Sequence, residues 1–271
     1  MNILILGDVM GRPGRDAVQQ NLPGLRRDLA VDVAIVNAEN AAHGFGLTEK
    51  ICGELYDCGA DVLTTGNHVW DQREIIPYLE RDRRVLRPAN FPPGTVGAGS
   101  YAHRLDDGRE LFVVNLMGRL FMDALDDPFR TLDALLADRV LGPDRAILVD
   151  FHGEATSEKT AMGHFADGRV SAVVGTHTHV PTADHRILAG GTGYISDIGM
   201  CGNYDSVIGL EKTASVRRFV TRMPGAKKPE VAEGEGTLCG ALVVTDDTTG
   251  LARRIAPVRV GGCLAPHVPP P

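Results

Sequence analysis

Two histidines two residues apart, His177 and His179, follow an apolar run that begins at Val170. The run has the composition of a short buried strand and continues through Gly175 to the histidines. If the backbone stays extended past Gly175, side chains two residues apart point to the same side. Neutral imidazole is the commonest metal ligand in proteins. The pair therefore predicts a metal site beyond this strand, although two partly exposed loop histidines would give the same pattern.

Four other apolar runs also end in residues that carry metal-ligand atoms. These residues are Asp8, Glu39 with Asn40, Asn67 with His68, and His152. Carboxylate oxygens, amide carbonyl oxygens and imidazole nitrogens all bind metal ions. Ligands of open α/β sheets bind outside the carboxyl ends of the strands, so the five segments predict one common site. A single Asp at a strand end is more often a turn residue, but turn chemistry does not explain five strands.

The number of donor groups predicts two metal ions rather than one. Together the five strand ends offer more groups than a single ion of ordinary coordination number needs. Two ions about 3.5–4 Å apart, bridged by one carboxylate, would use nearly all of them. Glu39 is the natural bridge, since a carboxylate can give one oxygen to each ion. The donors are nitrogen and oxygen without thiolate, which suits divalent or trivalent transition-metal ions.

The overall composition is that of a globular protein with a full core. The chain has 271 residues, 43% of them apolar and 23% charged, with a formal net charge of −7. An acidic chain lacks the basic footprint of duplex-binding proteins, so we expect no binding to duplex nucleic acid. Five cysteines form no CxxC pair, and no apolar run approaches the roughly 18 residues of a membrane span. We therefore expect a cytoplasmic protein without a membrane partner, and homo-oligomerisation stays open.

Strands and helices alternate in the first part of the chain, and hairpins follow later. The pattern predicts strands over 2–7, 33–37, 61–65, 145–151 and 170–176, with hairpins over 101–116 and 236–260. Asp71 and Glu74 have the spacing of a capping box, which predicts a helix start there. Such an order favours an α/β fold with two sheets packed between helices. We expect one domain over 1–271, with a cap or insertion around 200–235 and a disordered tail at 266–271.

Several motifs around the donor residues also carry a family resemblance. They cover residues 7–14, 37–40, 65–68 and 151–154, together with the His177 and His179 segment. In combination they resemble the calcineurin-like metallophosphoesterases, and more closely their bacterial YmdB-like branch, over nearly the whole chain. Two departures from the general superfamily pattern stand out. Met10 replaces a usual ligand histidine, and Glu39 with Asn40 replaces the usual second aspartate.

This resemblance implies a four-layer αββα sandwich of two mixed sheets flanked by helices, and a specific set of metal ligands. One ion would be held by Asp8, Glu39, Asn40 and His179, and the other by Glu39, Asn67, His152 and His177. Iron or manganese is the implied metal. Asn40 is also interpretable as a residue that orients Glu39 rather than a ligand.

The same resemblance implies an activity, because the branch contains 2′,3′-cyclic-nucleotide 2′-phosphodiesterases. The ions would share a hydroxide and bind the phosphate of a small cyclic nucleotide, and His68 would protonate the leaving 2′-oxygen to give a 3′-nucleotide. One alternative is a phosphomonoesterase, nucleotidase or 3′,5′-cyclic phosphodiesterase on the same metal pair. Another is a regulator that binds a nucleotide or a partner and turns over only incidentally. The roles of His43 and Arg12 stay open.

Overall fold

The computed structural model describes residues 1–223 and 230–270, so the predicted cap and tail lie partly outside the described residues. The first sheet comprises β1 (Asn2–Leu6), β3 (Val33–Asn37), β4 (Val62–Thr64), β12 (Leu238–Thr245) and β13 (Ala252–Val260). The second comprises β5 (Ser100–Arg104), β6 (Glu110–Met117), β7 (Arg145–His152), β8 (Ala172–Thr176), β9 (Arg186–Ile187) and β10 (Gly193–Ile195). A short separate pair consists of β2 (Asp8–Val9) and β11 (Met200–Cys201). The strand order is β13-β12-β1-β3-β4 in the first sheet and β5-β6-β7-β8-β10-β9 in the second.

Both sheets are mixed, and helices cover their outer faces. The helices are α1 (Gly11–Asp28), α2 (Glu49–Asp57), α3 (Ile76–Arg81), α4 (Pro128–Leu136), α5 (Thr156–Phe165) and α6 (Lys212–Thr221). Strands β1, β3 and β4 run parallel, as do β6, β7, β8 and β10, whereas β12, β13, β5 and β9 pair antiparallel. The predicted hairpins are present as β5 with β6 and β12 with β13.

Alternation along β1 shows how the layers are built. Leu4 and Leu6 pack with residues of α1 and α2, whereas Ile3 and Ile5 pack with residues of the second sheet. The outer face of the second sheet packs in turn against α4 and α5. Successive side chains of a strand point to opposite faces, so a buried strand with apolar residues at every position lies between two layers. The predicted four-layer arrangement of two mixed sheets flanked by helices is therefore confirmed.

The carboxyl ends of the central parallel strands of both sheets meet at one edge of the sandwich. Asp150 of β7 accepts hydrogen bonds from Asn37 Nδ2 of β3 at 3.2 Å and from Thr64 Oγ1 of β4 at 2.5 Å. These contacts join the two sheets directly below the segments that carry the predicted donors. The common edge expected from the sequence is thus present in the fold.

A helical segment begins at Arg73, two residues after the predicted start at Asp71, but the predicted capping box is absent. A 3₁₀ turn spans Arg73–Ile75 with Gln72 at its N-cap position, and α3 begins only at Ile76. The side chain of Asp71 does not cap a helix, because its carboxylate contacts the imidazole of His68 instead. A competing polar partner has therefore replaced the local capping interaction.

The segments predicted as cap and tail are described only in part. Helix α6 has no buried residue. Towards the end of the chain, His267 and Arg259 exchange two backbone hydrogen bonds of 2.7 and 2.9 Å. The five cysteines are unpaired. No helix among residues 1–223 and 230–270 combines the length and the apolar content that a membrane span requires.

Candidate metal centre

Glu39, His152 and His177 form the centre of the site. Each offers one ligand atom, and these atoms all lie within 4.8 Å of one another. His152 Nε2 is 3.1 Å from Glu39 Oε1 and 3.0 Å from His177 Nδ1. Glu39 and His152 are completely or almost completely buried. A buried carboxylate beside two imidazoles is a donor set that suits a transition-metal ion.

Three further predicted donors lie around this centre. Asp8 Oδ2 accepts a hydrogen bond from the backbone N–H of His177 at 3.2 Å. Asn40 Nδ2 donates to Glu39 Oε1 at 3.2 Å and lies 3.1 Å from His179 Nε2. These contacts place Asp8, Asn40 and His179 at the same site as Glu39.

Asn67 and His68 reach the site from the end of β4. Asn67 Oδ1 lies 3.0 Å from His152 Nε2, so this amide is close to the central imidazole. The backbone N–H of His68 donates to Glu39 Oε2 at 3.2 Å, but its imidazole points to Asp71. The structure therefore brings all seven predicted ligands together and leaves the His68 ring beside them.

Two buried acceptor atoms test whether these residues fit a cation. Asp8 Oδ1 and Asn40 Oδ1 have no hydrogen-bond partner within the described chain. A buried acceptor without a partner costs about 1–3 kcal/mol, so native proteins rarely retain one unless it binds something else. Two oxygens of this kind, next to three imidazoles and a second carboxylate, fit the predicted binding of metal ions.

Gly66 makes room for this arrangement. A Cβ atom at this position would lie 2.2 Å from His152 Cδ2 and 2.5 Å from Glu39 Oε2. Both distances are well below van der Waals contact, so any side chain here would displace the two central residues. The glycine before Asn67 is therefore a requirement of the site.

Charge is divided unequally among the central groups. Burial disfavours ionisation of Glu39 and His152, but their mutual attraction outweighs it, lowering the pKa of Glu39 to about 2 and raising the pKa of His152 to about 9. Burial, reinforced by His152, lowers the pKa of His177 to about 3. Burial also raises the pKa of Asp8. His177 is therefore neutral and can donate a lone pair, whereas a cation at His152 would displace a proton.

The buried carboxylate of Asp150 orients His152 through the hydroxyl of Thr176. His152 Nδ1 lies 2.9 Å from Thr176 Oγ1, and Thr176 Oγ1 donates to Asp150 Oδ1 at 2.7 Å. Outer contacts of this kind fix the ring orientation of metal-binding histidines. Asp150 is not among the predicted site residues, although its position carries a signal, because a residue two positions before His152 on a strand shares its face.

The other two histidines also have an outer partner. His177 Nε2 lies 3.2 Å from Glu154 Oε2, and His179 Nδ1 donates to the carbonyl of Ile208 at 2.8 Å. The nitrogens that face the other donors of the centre are Nδ1 of His177, 3.0 Å from His152 Nε2, and Nε2 of His179, 3.1 Å from Asn40 Nδ2. Glu154 could have been suspected because it lies two residues after His152. A backbone carbonyl such as that of Ile208 leaves no signal in a sequence.

The backbone of the two histidines differs from the extended strand that the sequence predicted. Strand β8 ends at Thr176, and the φ angles of His177 and His179 are +102° and +66°. Residues other than glycine held in this region cost about 1–3 kcal/mol each. The shared orientation of a strand therefore does not bring the two rings together. The chain turns after Thr176, and the intervening Thr178 donates its backbone N–H and its hydroxyl to Asp197.

A cavity opens beside the His68 ring. Its volume is about 1300 Å³, and its lining includes Arg12, His43, Phe45 and His68. The ring of Phe45 packs edge-on against that of His68, with centroids 5.1 Å apart. The two residues whose roles the sequence left open, His43 and Arg12, thus lie on the walls of the cavity.

Comparisons with known proteins agree with this fold. The YmdB-like protein family matches residues 4–258. The chain is 49% identical over 255 residues to a 2′,3′-cyclic-nucleotide 2′-phosphodiesterase of Bacillus subtilis (strain 168), covering 94% of this chain and 95% of that protein. A crystal structure of a novel phosphatase from Mycoplasma pneumoniae has a TM-score of 0.89 and 34% identity, covering 96% of this chain and 93% of the other.

A more distant structure shares the fold alone. It is the calcineurin-like phosphoesterase YfkN from Bacillus subtilis, with a TM-score of 0.52 and 10% identity, covering 96% of this chain and 90% of that chain. The family match and the close relative each span most of the sequence. The protein therefore belongs to the YmdB-like protein family.

Proposed function

We propose that this protein is a metal-dependent phosphodiesterase that hydrolyses 2′,3′-cyclic nucleotides to 3′-nucleotides. The observation that carries the proposal is the convergence of seven nitrogen and oxygen donors from five chain segments at one edge of the sandwich. The Bacillus subtilis 2′,3′-cyclic-nucleotide 2′-phosphodiesterase, which is 49% identical to this chain, supports the choice of substrate. Buried acceptors without partners support cations at this edge rather than a purely structural polar cluster.

The donors are suited to two ions, with Glu39 between them. We assign Asp8, Glu39, Asn40 and His179 to one ion, and Glu39, Asn67, His152 and His177 to the other. When bound, a pair of iron or manganese ions supplies Lewis-acid charge that neutralises phosphate oxygens and lowers the pKa of a shared water molecule. The residues of the chain keep these donors in place and provide the remaining proton transfer.

His68 is the proton donor in this proposal. Its backbone N–H binds Glu39, so the ring stands next to the donor cluster without belonging to it. The Asp71 carboxylate accepts a hydrogen bond from Nδ1 at 2.9 Å and orients the ring, so that the proton given to the leaving alkoxide comes from Nε2. A well-placed general acid contributes about 10²–10⁴-fold to the rate.

The cavity beside His68 supports a cyclic nucleotide as substrate. Opening a 2′,3′-cyclic phosphate leaves the 2′-oxygen on the same nucleoside, so the nucleoside must lie on the side of the proton donor. The cavity of about 1300 Å³ lies there and contains Phe45 and His43 in its wall. A phosphomonoester with a small leaving group would have no need of this volume.

The experiment is a comparison of substrates with metal-loaded protein. We expect kcat/KM for 2′,3′-cAMP to exceed that for 3′,5′-cAMP and p-nitrophenyl phosphate, and chromatography to identify 3′-AMP as the product. The matched control is the His68→Ala variant with the same metal content. Faster hydrolysis of the monoester, or 2′-AMP as the product, would overturn the proposal.

A phosphomonoesterase is the second candidate. The observation in its favour is the Mycoplasma pneumoniae structure, described as a phosphatase, at 34% identity and a TM-score of 0.89. The same donors would activate water for a monoester, and the same substrate comparison separates the two. Tight nucleotide binding with hydrolysis at the background rate would instead support a regulatory protein.

A further inference from the structure

We propose that Asp197, together with Lys159, is a positioning residue that sets the turn from His177 to His179 and thereby brings both imidazoles to the metal centre. The inference rests on the metal centre in the proposed function. Asp197 and Lys159 are not among the predicted site residues, because neither lies at the end of one of the five strands that carry the predicted metal ligands.

The carboxylate of Asp197 holds the residue that separates the two histidines. Its Oδ2 atom accepts from the backbone N–H of Thr178 at 3.0 Å and from Thr178 Oγ1 at 2.7 Å. Its Oδ1 atom accepts from the N–H of Gly199 at 2.8 Å. Asp197 is only 1% exposed, so these bonds are screened little by water. Thr178 is therefore fixed by both its backbone and its side chain.

Lys159 makes the buried carboxylate possible. Its Nζ atom lies 2.8 Å from Asp197 Oδ2, and the side chain is 2% exposed although it belongs to α5 on the outer face of the sheet. The lysine reaches past Gly175, where an added Cβ would lie 3.0 Å from Lys159 Cδ. A buried charge needs a charged partner as well as hydrogen bonds. The ion pair between Lys159 and Asp197 thus connects α5 with the turn that follows β8.

The turn needs such a constraint. His177 and His179 both have positive φ angles, and residues other than glycine persist in that region only where surrounding contacts over-determine it. The hydroxyl of Tyr204 donates to the carbonyl of His179 at 3.0 Å, which fixes the far end of the turn. Without the bonds to Thr178, the segment would relax towards extended backbone. One of the two rings belongs to each proposed ion, so both ions would be held less tightly.

The test measures Mn²⁺ affinity of the metal-free protein, with unbound Mn²⁺ followed by electron paramagnetic resonance. Thr178→Val removes the hydroxyl with little change of shape, and we expect affinity about 10–100-fold lower, as is typical when an outer partner of a metal ligand is lost. Thr178→Ser keeps the hydroxyl and is expected to bind like the wild type. Asp197→Asn combined with Lys159→Met removes both buried charges, and weaker binding is expected there too.

The matched control is Thr192→Val. Thr192 Oγ1 donates to the carbonyl of Val170 at 2.7 Å, so this variant also loses a buried hydroxyl bond, at the opposite end of β8. We expect a lower Tm for this control with unchanged Mn²⁺ affinity. Wild-type affinity in Thr178→Val, or an equal loss in Thr192→Val, would overturn the positioning role. A wild-type protein that binds no Mn²⁺ would overturn the metal centre itself.

Discussion

The Oδ2 atom of Asp71 lies 2.9 Å from Nδ1 of His68, three residues earlier in the chain. Asp71, which has the spacing of a helix-capping residue, is therefore the partner of His68, the proposed proton donor. It also leaves Nε2 of His68 as the nitrogen available to a substrate. The side chains of the pair are 29% and 42% exposed, which is compatible with access from the adjacent cavity.

Substitution of this pair tests the assignment of His68. In His68→Ala, we expect turnover to fall about 10²–10⁴-fold, because the leaving oxygen loses its proton donor. In Asp71→Asn, a smaller fall in kcat is expected, because the ring remains but loses the carboxylate that orients it. Elemental analysis of both variants should give wild-type metal content. Loss of metal along with activity would identify His68 as part of the metal centre, and Asp57→Asn, at an exposed position, serves as the control.

Gly66→Ala should abolish metal binding. The new Cβ would lie 2.2 Å from His152 Cδ2, and the backbone of the strand end cannot yield without moving Asn67 and Glu39 as well. We expect metal content after purification to fall at least about tenfold, in line with the loss of ligand geometry. Gly53→Ala is the matched control, since a Cβ there meets nothing within 4 Å and the residue lies inside α2. Normal metal content in Gly66→Ala would contradict the proposed packing of the centre.

Removal of metal should lower stability as well as activity. A ligand that binds only the folded state adds about 2.7 kcal/mol to the free energy of unfolding at 100 times its Kd. Chelated protein should therefore melt at a lower temperature and recover both its Tm and its activity on addition of Mn²⁺ or Fe²⁺. Mg²⁺ should restore less, because imidazole ligands favour transition metals over Mg²⁺. Scanning calorimetry with each ion provides the measurement, and full recovery with Mg²⁺ would contradict a centre built on three histidines.

An ion pair at the other end of the sandwich predicts a pH-dependent contribution to stability. Burial raises the pKa of Asp32, but hydrogen bonds from the Arg109 side chain and the N–H of Asn2 outweigh burial and hold this pKa below 3.8. A depressed folded-state pKa stabilises the protein above the unfolded value, and the stabilisation is lost as pH falls through the folded pKa. Asp32→Asn should lower the free energy of unfolding by about 1 kcal/mol or less near neutral pH, because the pair is partly exposed.

The difference in the free energy of unfolding between wild type and Asp32→Asn should disappear at acid pH. The free energies of urea unfolding of wild type and Asp32→Asn should therefore begin to converge below about pH 4, where the unfolded carboxyl becomes protonated, and should meet once the folded carboxyl is protonated as well. Asp138→Asn, at an exposed position, should match the wild type throughout. An equal deficit of Asp32→Asn at neutral and acid pH would show that the side chain contributes by packing rather than by charge.

Much of the architecture could be predicted because it depends on local patterns. Continuous apolar runs indicated the strands buried on both faces, and the Asp106 to Gly108 turn indicated a hairpin. The metal-ligand residues at strand ends were recognisable because the carboxyl ends of parallel strands lie at the same edge of a sheet. Asp8 and His152 can therefore be recognised from their positions in the amino-acid sequence alone.

The remaining features depend on contacts between residues far apart in the chain. The positive φ angles of His177 and His179 could not be predicted, because Thr178 is fixed by Asp197 from another segment. Asp71 has the spacing of a cap, and only the position of His68 shows its alternative partner. Local propensity fails at such places because tertiary hydrogen bonds outweigh it.

Strand β1, which leads directly to Asp8, pairs along one edge with β12, a strand far away in the sequence. Leu6 of β1 pairs with Gly240 of β12, and β12 in turn pairs with β13. During synthesis on a ribosome, this edge of β1 therefore stays unpaired until residues 238–245 have been made. Full capacity to retain metal should accordingly be acquired only after translation has passed residue 245.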